Sequence, residues 1–362
     1  MTGDGMEITF ICGREGDYPR NRSVMRALKQ LGAVRALYPQ AGRLSLNLAR
    51  MSGRVIGASP RGQDLYFVGF YGQPLVLAAR ARWRGPLVLD AFLSTYDTYC
   101  LDRKVFKPES WAGRLAFWLD RRSCELADVV VLDTRAHARY FHTTFGVPEA
   151  KLRVLYAGCD EQHFRPLDAP EPSLPVVLFY GSFLPLHGVD VIVQAAHLLR
   201  SETVRFRIVG GGHRERAVRH LAAQLRLNNV EFLPPVSYDA LPQLIAASTV
   251  CLGGHFGASA KAARVIAAKT YQCMAMGKPT IIGDNPANRE LFTHGEDAWM
   301  VQMSNPEALA EGIRAVLSLS ARERQRLGAA ARETVVRAAG NAAQREAVAQ
   351  IASDALRVNT SR

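Results

Sequence analysis

The amino-acid sequence predicts an α/β protein with two doubly wound domains, each a parallel sheet covered by helices. Short apolar runs alternate along the chain with longer helical stretches, which is typical of parallel strands joined by crossover helices. A segment with four prolines, residues 166–175, divides this alternation into two halves. The 362 residues are enough for two domains of ordinary size, and 48% hydrophobic with 22% charged residues excludes disordered and fibrous classes.

The predicted elements follow one another in the order that two such domains require. The strands are 7–12, 64–70, 87–92, 129–132, 152–156, 176–180, 205–209, 230–233, 250–253, 280–282 and 298–301. The helices between them include 22–31, 111–127, 189–200, 214–225, 269–276 and 306–318, and a helical tail covers 321–356. These elements give an N-terminal domain at residues 1–168, a second domain at 172–340 and a C-terminal helix at 341–362. Ligands are expected in a cleft between the domains, at the carboxyl ends of strands from both sheets.

The cysteines and the apolar segments indicate a reduced, cytoplasmic protein. Six cysteines lie far apart without a CxxC pair, so neither a disulfide framework nor a zinc site is expected. The first residues, MTGDGMEITFICG, lack a basic region followed by a long apolar stretch, so no secretory signal is predicted. The uncharged run 240–260 contains proline and several glycines and predicts no membrane-spanning helix.

The charge of the chain favours partners that carry phosphate. The net charge is +12, and no acidic residue lies between Asp17 and Asp64. That stretch holds nine cations: Arg20, Arg22, Arg26, Lys29, Arg35, Arg43, Arg50, Arg54 and Arg61. Such a surface attracts phosphates on a ligand or on an anionic membrane, with a GC-rich genome as an alternative origin of the arginines. Nucleic acid is not predicted, because no aromatic-interleaved basic motif or helix-turn-helix pattern accompanies the charge.

Glycine-rich turns in the second half suit the binding of a nucleotide diphosphate. Gly181 and Gly188 flank a turn between a strand and a helix, where free backbone N–H groups and the helix dipole attract a diphosphate. Gly210 and Gly211 end the next strand and allow the backbone to approach a nucleotide closely. An ordinary strand–helix turn without a ligand is the alternative.

Four stretches of the second half follow one another in a fixed order that resembles a known family. They are LFYGSFLPLHGVDVIVQAAHLL (178–199), FRIVGGGHRE (206–215), VEFLPPVSYDALPQLIAASTVCL (230–252) and KTYQCMAMGKPTIIGDNPANREL (269–291). This order resembles the nucleotide-binding domain of glycosyltransferase family 4, over nearly the whole chain. The resemblance implies the GT-B architecture, with two facing Rossmann-like domains, an interdomain cleft and a C-terminal helix packing back. It also implies a nucleoside-diphosphate sugar donor and transfer with retention.

The sequence departs from that family at the positions that hold the donor. Family members commonly carry an Arg and a Lys in the first turn, where this chain has Ser182 and His187. The family's pair of glutamates maps onto Arg264 and Gln272. Gln272 retains an oxygen that can bond a ribose hydroxyl, whereas a guanidinium has no acceptor.

A cluster of cations offers a replacement for the missing phosphate ligands. Lys261, Arg264 and Lys269 lie in HFGASAKAARVIAAKTYQ, and this stretch, with LHG at 186–188, resembles a subgroup of the family. Glu290 ends the turn after a buried strand and completes the predicted donor site. A solvated basic helix face is the alternative for the cations, and asparagines that serve turn backbone are the alternative beside Glu290.

The first half carries the candidate acceptor residues at the ends of its predicted strands. The loop after the first strand holds Arg20 and Asn21. The segment 89–104 holds Asp90, Ser94, Tyr96, Asp97, Asp102 and Arg103, and a third rim segment holds Asp133, Thr134 and His137. Asp90 or Asp97 is expected to position an acceptor hydroxyl or to accept its proton, with a helix cap or an arginine partner as the alternative.

The sequence therefore predicts a glycosyltransferase that moves a sugar from a nucleoside-diphosphate donor to a glycan, a lipid-linked or a small-molecule acceptor. No DxD motif occurs, so catalysis is expected without a metal or other cofactor, with His187, lysine or arginine and helix N-termini stabilising the leaving group. A peripheral location on the inner face of an anionic membrane is the second expectation. A nucleotide-sugar isomerase or epimerase of the same shape, or a non-catalytic nucleotide-sugar-binding protein, are the alternatives.

Overall fold

The computed structural model describes residues 5–14, 16, 18–39, 44–58, 62–170 and 172–360, with residues 44, 45 and 360 described by their backbone alone. The chain divides into two compact units. The first is Met1–Tyr156 together with Asn341–Arg362, and the second is Ala157–Gly340. Each unit is built around one six-stranded sheet in which every strand pair is parallel.

The first unit alternates strands and helices. Its elements are β1 (Met6–Ile11), α1 (Pro19–Leu28), β2 (Gly32–Leu37), α2 (Leu44–Gly57), β3 (Leu65–Val68), α3 (Gln73–Arg80), β4 (Leu87–Asp90), a π-helix (Asp97–Asp102), α4 (Trp111–Leu126), β5 (Val129–Leu132), α5 (Arg135–Phe145), a 3-10 turn (Glu149–Lys151) and β6 (Leu152–Val154). The strand order in the sheet is β2-β1-β3-β4-β5-β6. The order reverses between β1 and β3, which is where ligands bind in doubly wound sheets.

The second unit repeats the plan. Its elements are β7 (Val176–Ser182), a 3-10 turn (Pro185–His187), α6 (Val189–Leu198), β8 (Arg205–Gly211), α7 (Glu215–Gln224), β9 (Val230–Leu233), a 3-10 turn (Tyr238–Ala240), α8 (Leu241–Ala246), β10 (Val250–Leu252), α9 (Ala268–Ala275), β11 (Thr280–Asp284), a 3-10 turn (Asn288–Glu290), β12 (Trp299–Gln302), α10 (Pro306–Ser318) and α11 (Ala321–Ala339). The strand order is β12-β11-β10-β7-β8-β9. The predicted fold class, two doubly wound α/β domains, is confirmed.

The last helix, α12 (Asn341–Thr360), packs on the first unit, as expected of a C-terminal helix that packs back. Its buried residues Val348, Ile351, Ala352 and Ala355 join the core around Phe10 of β1. No helix in the described ranges is long and apolar enough to cross a bilayer.

The division between the units lies earlier than the proline-rich segment. Residues 157–165 belong to the second unit, where Phe164 is fully buried and its ring centre lies 5.3 Å from that of Tyr238. The His163 ring stacks on Tyr238 at 4.7 Å. The predicted boundary at residue 168 therefore falls inside the second unit, because aromatic packing ties the chain to that unit before the prolines begin.

Candidate functional site

Three glycine-containing turns meet at the carboxyl edge of the second sheet. Gly181 at the end of β7 pairs with Gly210 at the end of β8, and both have a φ of +136°. A side chain on Gly210 would collide with the Gly181 carbonyl, so only glycine allows this approach. Gly188, with a φ of +63°, begins α6, and no side-chain hydrogen bond caps that helix within the described chain. The first turn of α6 therefore has backbone N–H groups that no side chain of the described residues caps.

The remaining parts of these turns are fixed by the chain itself. The amide of Gly257 donates to Leu186 O at 3.1 Å, which anchors the turn of α6. Gly211 faces the carboxylate of Glu215, and the Gly212 amide lies 3.4 Å from its Oε2. The glycine turn after β8 thus already holds a carboxylate of its own helix, whereas the turn after β7 does not.

Lys269 is a buried cation at the same edge. It is the second residue of α9 and is 6% exposed, and its ammonium lies 4.9 Å from the centre of the Phe179 ring. A Cβ on Gly181 would lie 3.2 Å from its Cε, so the ammonium lies against the glycine turn. No carboxylate pairs with it among the residues the structure describes. Burial lowers the pKa of Lys269 to about 7.

Two histidines stack beside Lys269. The rings of His187 and His255 lie 5.3 Å apart and nearly parallel, at 7°. The Nδ1–H of His187 donates to the carbonyl of Ser182, which fixes that tautomer because a carbonyl can only accept. Burial, and then the Lys269 charge, lower the pKa of His187 to about 3, and burial keeps the pKa of His255 well below its usual value. His187 is therefore neutral at pH 7 and presents Nε2 as an acceptor. In that form it has no free N–H for a diphosphate, so its expected part in stabilising the leaving group stays a prediction.

Gln272 is fixed by the core of the second unit. Its Oε1 accepts a hydrogen bond of 2.8 Å from the Tyr180 hydroxyl, and both side chains are buried. The oxygen that was expected to bond a ribose hydroxyl is thus engaged, and the amide N–H₂ is the group left to face a ligand.

The other predicted donor residues lie in turns. Lys261 and Arg264 are half-buried in the loop between β10 and α9, where the amide of Ala262 donates to Ser259 Oγ at 3.2 Å. The alternative of a solvated basic helix face does not apply, because this stretch is not helical and Lys269 is buried. Glu290 is half-buried at the end of the 3-10 turn after β11.

The asparagines beside Glu290 form hydrogen bonds with the backbone of their turn, which was the alternative to a ligand-binding role. Asn285 Oδ1 accepts from the amide of Asn288 at 2.8 Å. The side-chain amide of Asn288 donates to the Gly283 carbonyl at 2.7 Å. Both are buried, so they shape the turn that carries Glu290.

At the carboxyl edge of the first sheet, Arg20 and Asp90 bind each other. Arg20 Nε lies 2.8 Å from Asp90 Oδ2 and Nη2 lies 3.0 Å from Oδ1, with both side chains about 1% exposed. Nη1 donates to the carbonyls of Leu155 and Tyr156 at 2.6 and 2.8 Å. Asn21 is buried as well. The roles expected for Arg20 in ligand binding and for Asp90 as a base do not fit this arrangement, since the two side chains are buried and bound to each other. The alternative of an arginine partner applies.

The segment after β4 is organised by a residue that sequence reasoning missed. Asp120 of α4, fully buried, accepts from Ser94 Oγ at 2.7 Å and from the amides of Thr95 and Tyr96 at 3.0 and 2.8 Å. Burial raises its pKa to about 6. Ser94 also accepts from the Asp97 amide at 2.9 Å. Ser94 therefore acts as a bridge within the protein.

The π-helix carries the remaining acceptor candidates. Asp97 and Asp102 are buried within it, and Asp97 was expected to meet an acceptor hydroxyl. Arg103 is exposed and its guanidinium lies 5.7 Å from the Tyr99 ring centre. Tyr99 in turn bonds the hydroxyl of Tyr71, O to O at 3.2 Å. Of this segment, Arg103 is the candidate that the structure leaves at the surface.

An Asp–His pair follows β5. His137 Nδ1 lies 2.6 Å from Asp133 Oδ1, both side chains are buried, and Thr134 caps α5 by accepting from the His137 amide. The buried Nε2 of His137 has no hydrogen-bond partner in the described part of the chain. Tyr18 precedes α1, and burial and then the charge of Asp133 raise the pKa of its phenol.

His255 is a second residue that sequence reasoning missed. It follows β10 and two glycines directly, at the carboxyl end of a central strand, and that position was the available signal. In the ranges described, no group of three or more His, Cys, Asp or Glu side chains is placed to hold a metal ion.

Comparisons with known proteins agree with the two-unit plan. Residues 161–334 match the family model "Glycosyl transferases group 1", and residues 1–158 match "Glycosyl transferase 4-like domain". The D-inositol 3-phosphate glycosyltransferase of Nocardia farcinica is 26% identical over 279 residues, which are 72% of this chain and 59% of that protein. The chain thus spans less than two thirds of the length of this relative.

Solved structures share the fold. Sucrose-phosphate synthase from Thermosynechococcus elongatus superimposes with a TM-score of 0.77 at 18% identity, covering 95% of this chain and 98% of that one. HepE of Anabaena in complex with UDP-glucose gives a TM-score of 0.74 at 16% identity, covering 96% and 99%. With both halves matched by glycosyltransferase models and the fold shared with these structures, the chain belongs to the family 4-like glycosyltransferases and has their GT-B fold.

Proposed function

We propose that the protein is a glycosyltransferase whose second unit binds a nucleoside-diphosphate sugar and whose first unit binds the acceptor. The observation that carries this proposal is Lys269, a buried ammonium beside the Gly181 turn without a carboxylate partner among the described residues. An uncompensated buried cation destabilises a protein, and an arriving anion removes that penalty.

A diphosphate suits this position better than a single carboxylate does. Lys269 supplies a cation, and the N-terminus of α6 at Gly188 supplies backbone N–H groups and the positive end of a helix dipole. The side-chain-free turn at Gly181 leaves room for phosphate oxygens next to the ammonium. Lys261 and Arg264, in the loop before α9, add two further positive charges to the segment that carries Lys269.

These groups also explain how the sugar leaves the donor. When the bond from the anomeric carbon to the phosphate oxygen breaks, negative charge grows on the departing diphosphate. In this proposal, Lys269 and the amides at the start of α6 stabilise that charge and so lower the barrier. The neutral His187 accepts a hydrogen bond from a sugar hydroxyl through Nε2 and so orients the sugar. The proposal requires no metal ion, and retention of configuration follows from the family resemblance alone.

For the acceptor, the rim of the first sheet offers the Asp133–His137 pair and the phenol of Tyr18. The Asp133 carboxylate holds Nδ1 of His137, so Nε2 is the ring nitrogen that can accept a hydrogen bond from a hydroxyl. The acceptor class stays open among glycans, lipid-linked sugars and small molecules. The similar protein from Nocardia farcinica is named for D-inositol 3-phosphate, which makes that compound a first acceptor to test.

A thermal-shift screen with UDP, GDP, dTDP and ADP and their sugar conjugates, with and without EDTA, tests the donor site. UDP comes first, because the similar HepE of Anabaena was solved in complex with UDP-glucose. Stabilisation by one nucleotide series, unchanged by EDTA and absent from Lys269→Met, is the expected result. A flat response across the panel contradicts the donor site. Conversion of the donor to an isomer without acceptor points to an isomerase, and binding without turnover points to a binding protein.

A further inference from the structure

Exposed hydrophobic side chains are concentrated in one part of the first unit. Of the ten large hydrophobic side chains exposed in the described part of the chain, six lie between residues 101 and 118. We call them the apolar face: Leu101, Val105, Phe106, Trp111, Leu115 and Trp118. A cluster of this kind on a protein surface marks a site of contact with a partner or a membrane.

The half of the apolar face on α4 is a helical stripe. Trp111, Leu115 and Trp118 follow at intervals of four and three residues and are 78%, 51% and 49% exposed. The opposite side of α4 is buried, with Ala116 and Cys124 among its core residues. The helix is therefore anchored in the first unit by one side and presents two tryptophans on the other.

The other half is held against the start of α4 and against the π-helix. The amides of Val105 and Phe106 donate to the Tyr99 carbonyl at 2.8 and 3.2 Å, and the Phe106 ring centre lies 6.2 Å from that of Tyr99. Ser110, which caps α4, donates to the Lys107 carbonyl at 2.6 Å. These bonds thus fix Val105 and Phe106 against Tyr99, in the loop that leads into α4.

The surroundings of the apolar face are strongly basic. Six exposed cations lie in the same segment: Arg103, Lys104, Lys107, Arg114, Arg121 and Arg122. Between residues 103 and 122, Glu109 is the exposed acid, because Asp120 is buried. Glu125 pairs with the last two arginines. A second copy of the chain would bring these like charges together, whereas an anionic surface neutralises them.

We propose that the apolar face and its cations form a docking surface for an anionic lipid bilayer. Tryptophan, phenylalanine and leucine enter the boundary between headgroups and acyl chains, while lysine and arginine contact the lipid phosphates. The face adjoins the carboxyl edge of the first sheet, since Tyr99 bonds both Phe106's backbone and the Tyr71 hydroxyl, just after β3. Docking would hold that edge near the bilayer and so favours a lipid-linked acceptor. The proposal goes beyond transfer itself, because bilayer binding needs no donor.

This assignment differs from the one expected from the acid-free stretch. In that stretch Arg20 is buried in its ion pair, Arg26 donates to Asn341 and Arg54 donates to the Tyr38 carbonyl. Arg43 and Arg61 lie outside the described residues. Among the described residues of that stretch, two large apolar side chains are exposed, Leu46 and Ile56, against six on the apolar face.

Sedimentation of the full chain with vesicles tests the proposal. The wild type should bind phosphatidylcholine vesicles that contain phosphatidylglycerol, and not phosphatidylcholine alone, with binding reduced at high salt. The double variant Trp111→Ala/Trp118→Ala should bind the vesicles at least about tenfold more weakly than the wild type, because two aromatic side chains no longer leave water. Lys107→Glu and Arg114→Glu should each weaken binding by about fivefold or more.

Matched variants elsewhere provide the controls. Leu46→Ala/Ile56→Ala and Arg50→Glu alter the acid-free stretch and should leave vesicle binding unchanged. Since all the altered side chains are exposed, thermal unfolding should match that of the wild type. Tryptophan emission of the wild type should shift to the blue on anionic vesicles, because Trp111 and Trp118 enter the bilayer.

Three outcomes overturn the proposal. The first is a wild type that does not sediment with anionic vesicles at low salt. The second is a double tryptophan variant that binds as the wild type does. The third is a tryptophan-dependent dimer in solution without vesicle binding, which would assign the face to a second copy of the chain.

Discussion

At the carboxyl edge of the first sheet, Arg20 is buried against Asp90 with two hydrogen bonds, and two backbone carbonyls accept from its Nη1. At the carboxyl edge of the second sheet, Lys269 is equally buried, but no carboxylate faces it in the described residues. Both sheets are parallel and doubly wound, so ligands are expected at the carboxyl edge of each. The difference shows that a position at the carboxyl edge of a sheet is not enough to identify a ligand site. Whether a buried cation there has a carboxylate partner within the protein decides whether it needs a ligand.

The largest effect expected from this comparison is on stability. Arg20→Met leaves the Asp90 carboxylate buried and unpaired, and should lower the free energy of unfolding by about 3–5 kcal/mol. Denaturant unfolding of Arg20→Met, Asp90→Leu and the double variant measures this, and the double variant should lose less than the sum of the single losses. Nucleotide-dependent stabilisation should persist in the single variants that fold. Wild-type stability in Arg20→Met would break the comparison, because the pair would then contribute nothing structural.

The second effect has the opposite sign. Lys269→Met replaces an uncompensated buried ammonium by an apolar chain against the Phe179 ring, so it should raise the free energy of unfolding by about 1–4 kcal/mol. The same variant should lose the stabilisation by nucleoside diphosphates.

Lys278→Met is the matched control for this variant. The Lys278 ammonium donates to the carbonyls of Ala246 and Ser248 at 2.7 and 2.9 Å, so its loss should lower stability and leave the nucleotide response intact. If Lys269→Met were destabilised as Lys278→Met is, the second edge would be saturated like the first, and the contrast between the edges would fail.

The fold could be predicted from the sequence because the spacing of apolar residues and the positions of glycine and proline are local signals. The strands of both sheets were predicted within a few residues, except β2. That strand, GAVRAL, is an edge strand with an exposed Arg35, and half-exposed edge strands lack a continuous apolar run. Helices α2, α3, α5 and α8 were not among the predicted helices either. Of these, α3 and α8 begin with proline in the first turn and α5 is capped by Thr134, signals that were present but not used.

The site was harder to predict, because partners come from distant parts of the chain. Arg20 looked like a phosphate ligand, since nothing near it in sequence shows that Asp90 neutralises it. Asp120 serves Ser94 from 26 residues away. The cation cluster did place Lys269 in the donor site, a role that stays a prediction. The spacing of Trp111, Leu115 and Trp118 is equally typical of a buried helix face, so sequence alone could not reveal their exposure.

The pH dependence of stability sharpens the comparison further. The pKa of Lys269 is about 7 in the folded protein and 10.5 as its ordinary value, so between these values the unfolded chain binds more protons. Stability should therefore rise with pH from about 7 toward 10.5, and the full penalty of the buried charge applies below pH 7. The gap between Lys269→Met and the wild type should narrow by no more than about 1.4 kcal/mol per pH unit in this window.

Unfolding free energies of the two proteins across that pH range give the measurement, with Lys278→Met as the reference for general pH effects. Nucleoside diphosphate should stabilise the wild type most below pH 7, where Lys269 is charged, and progressively less above it. A gap that stays constant with pH would mean that Lys269 keeps its proton, and so that it has an anionic partner in the folded chain.

The smallest effect tests whether the second edge offers one cation or two. His187→Asn keeps a donor for the Ser182 carbonyl, at the place of Nδ1, but removes Nε2. If His187 is neutral and accepts from a sugar hydroxyl, kcat/KM should fall by about 2–10-fold, the size of one neutral hydrogen bond. Stabilisation by the nucleoside diphosphate without sugar should then be unchanged, and stabilisation by the sugar conjugate should be reduced. The alternative is that the charge of the bound diphosphate raises the pKa of His187, so that the imidazole takes up a proton from solvent. In that case His187→Asn should reduce the thermal stabilisation by the diphosphate itself, most strongly at low pH. That result would make the carboxyl edge of the second sheet a site with two cations that need an anion, Lys269 and His187. The edge of the first sheet, where Asp90 already pairs with Arg20, would then differ from it even more.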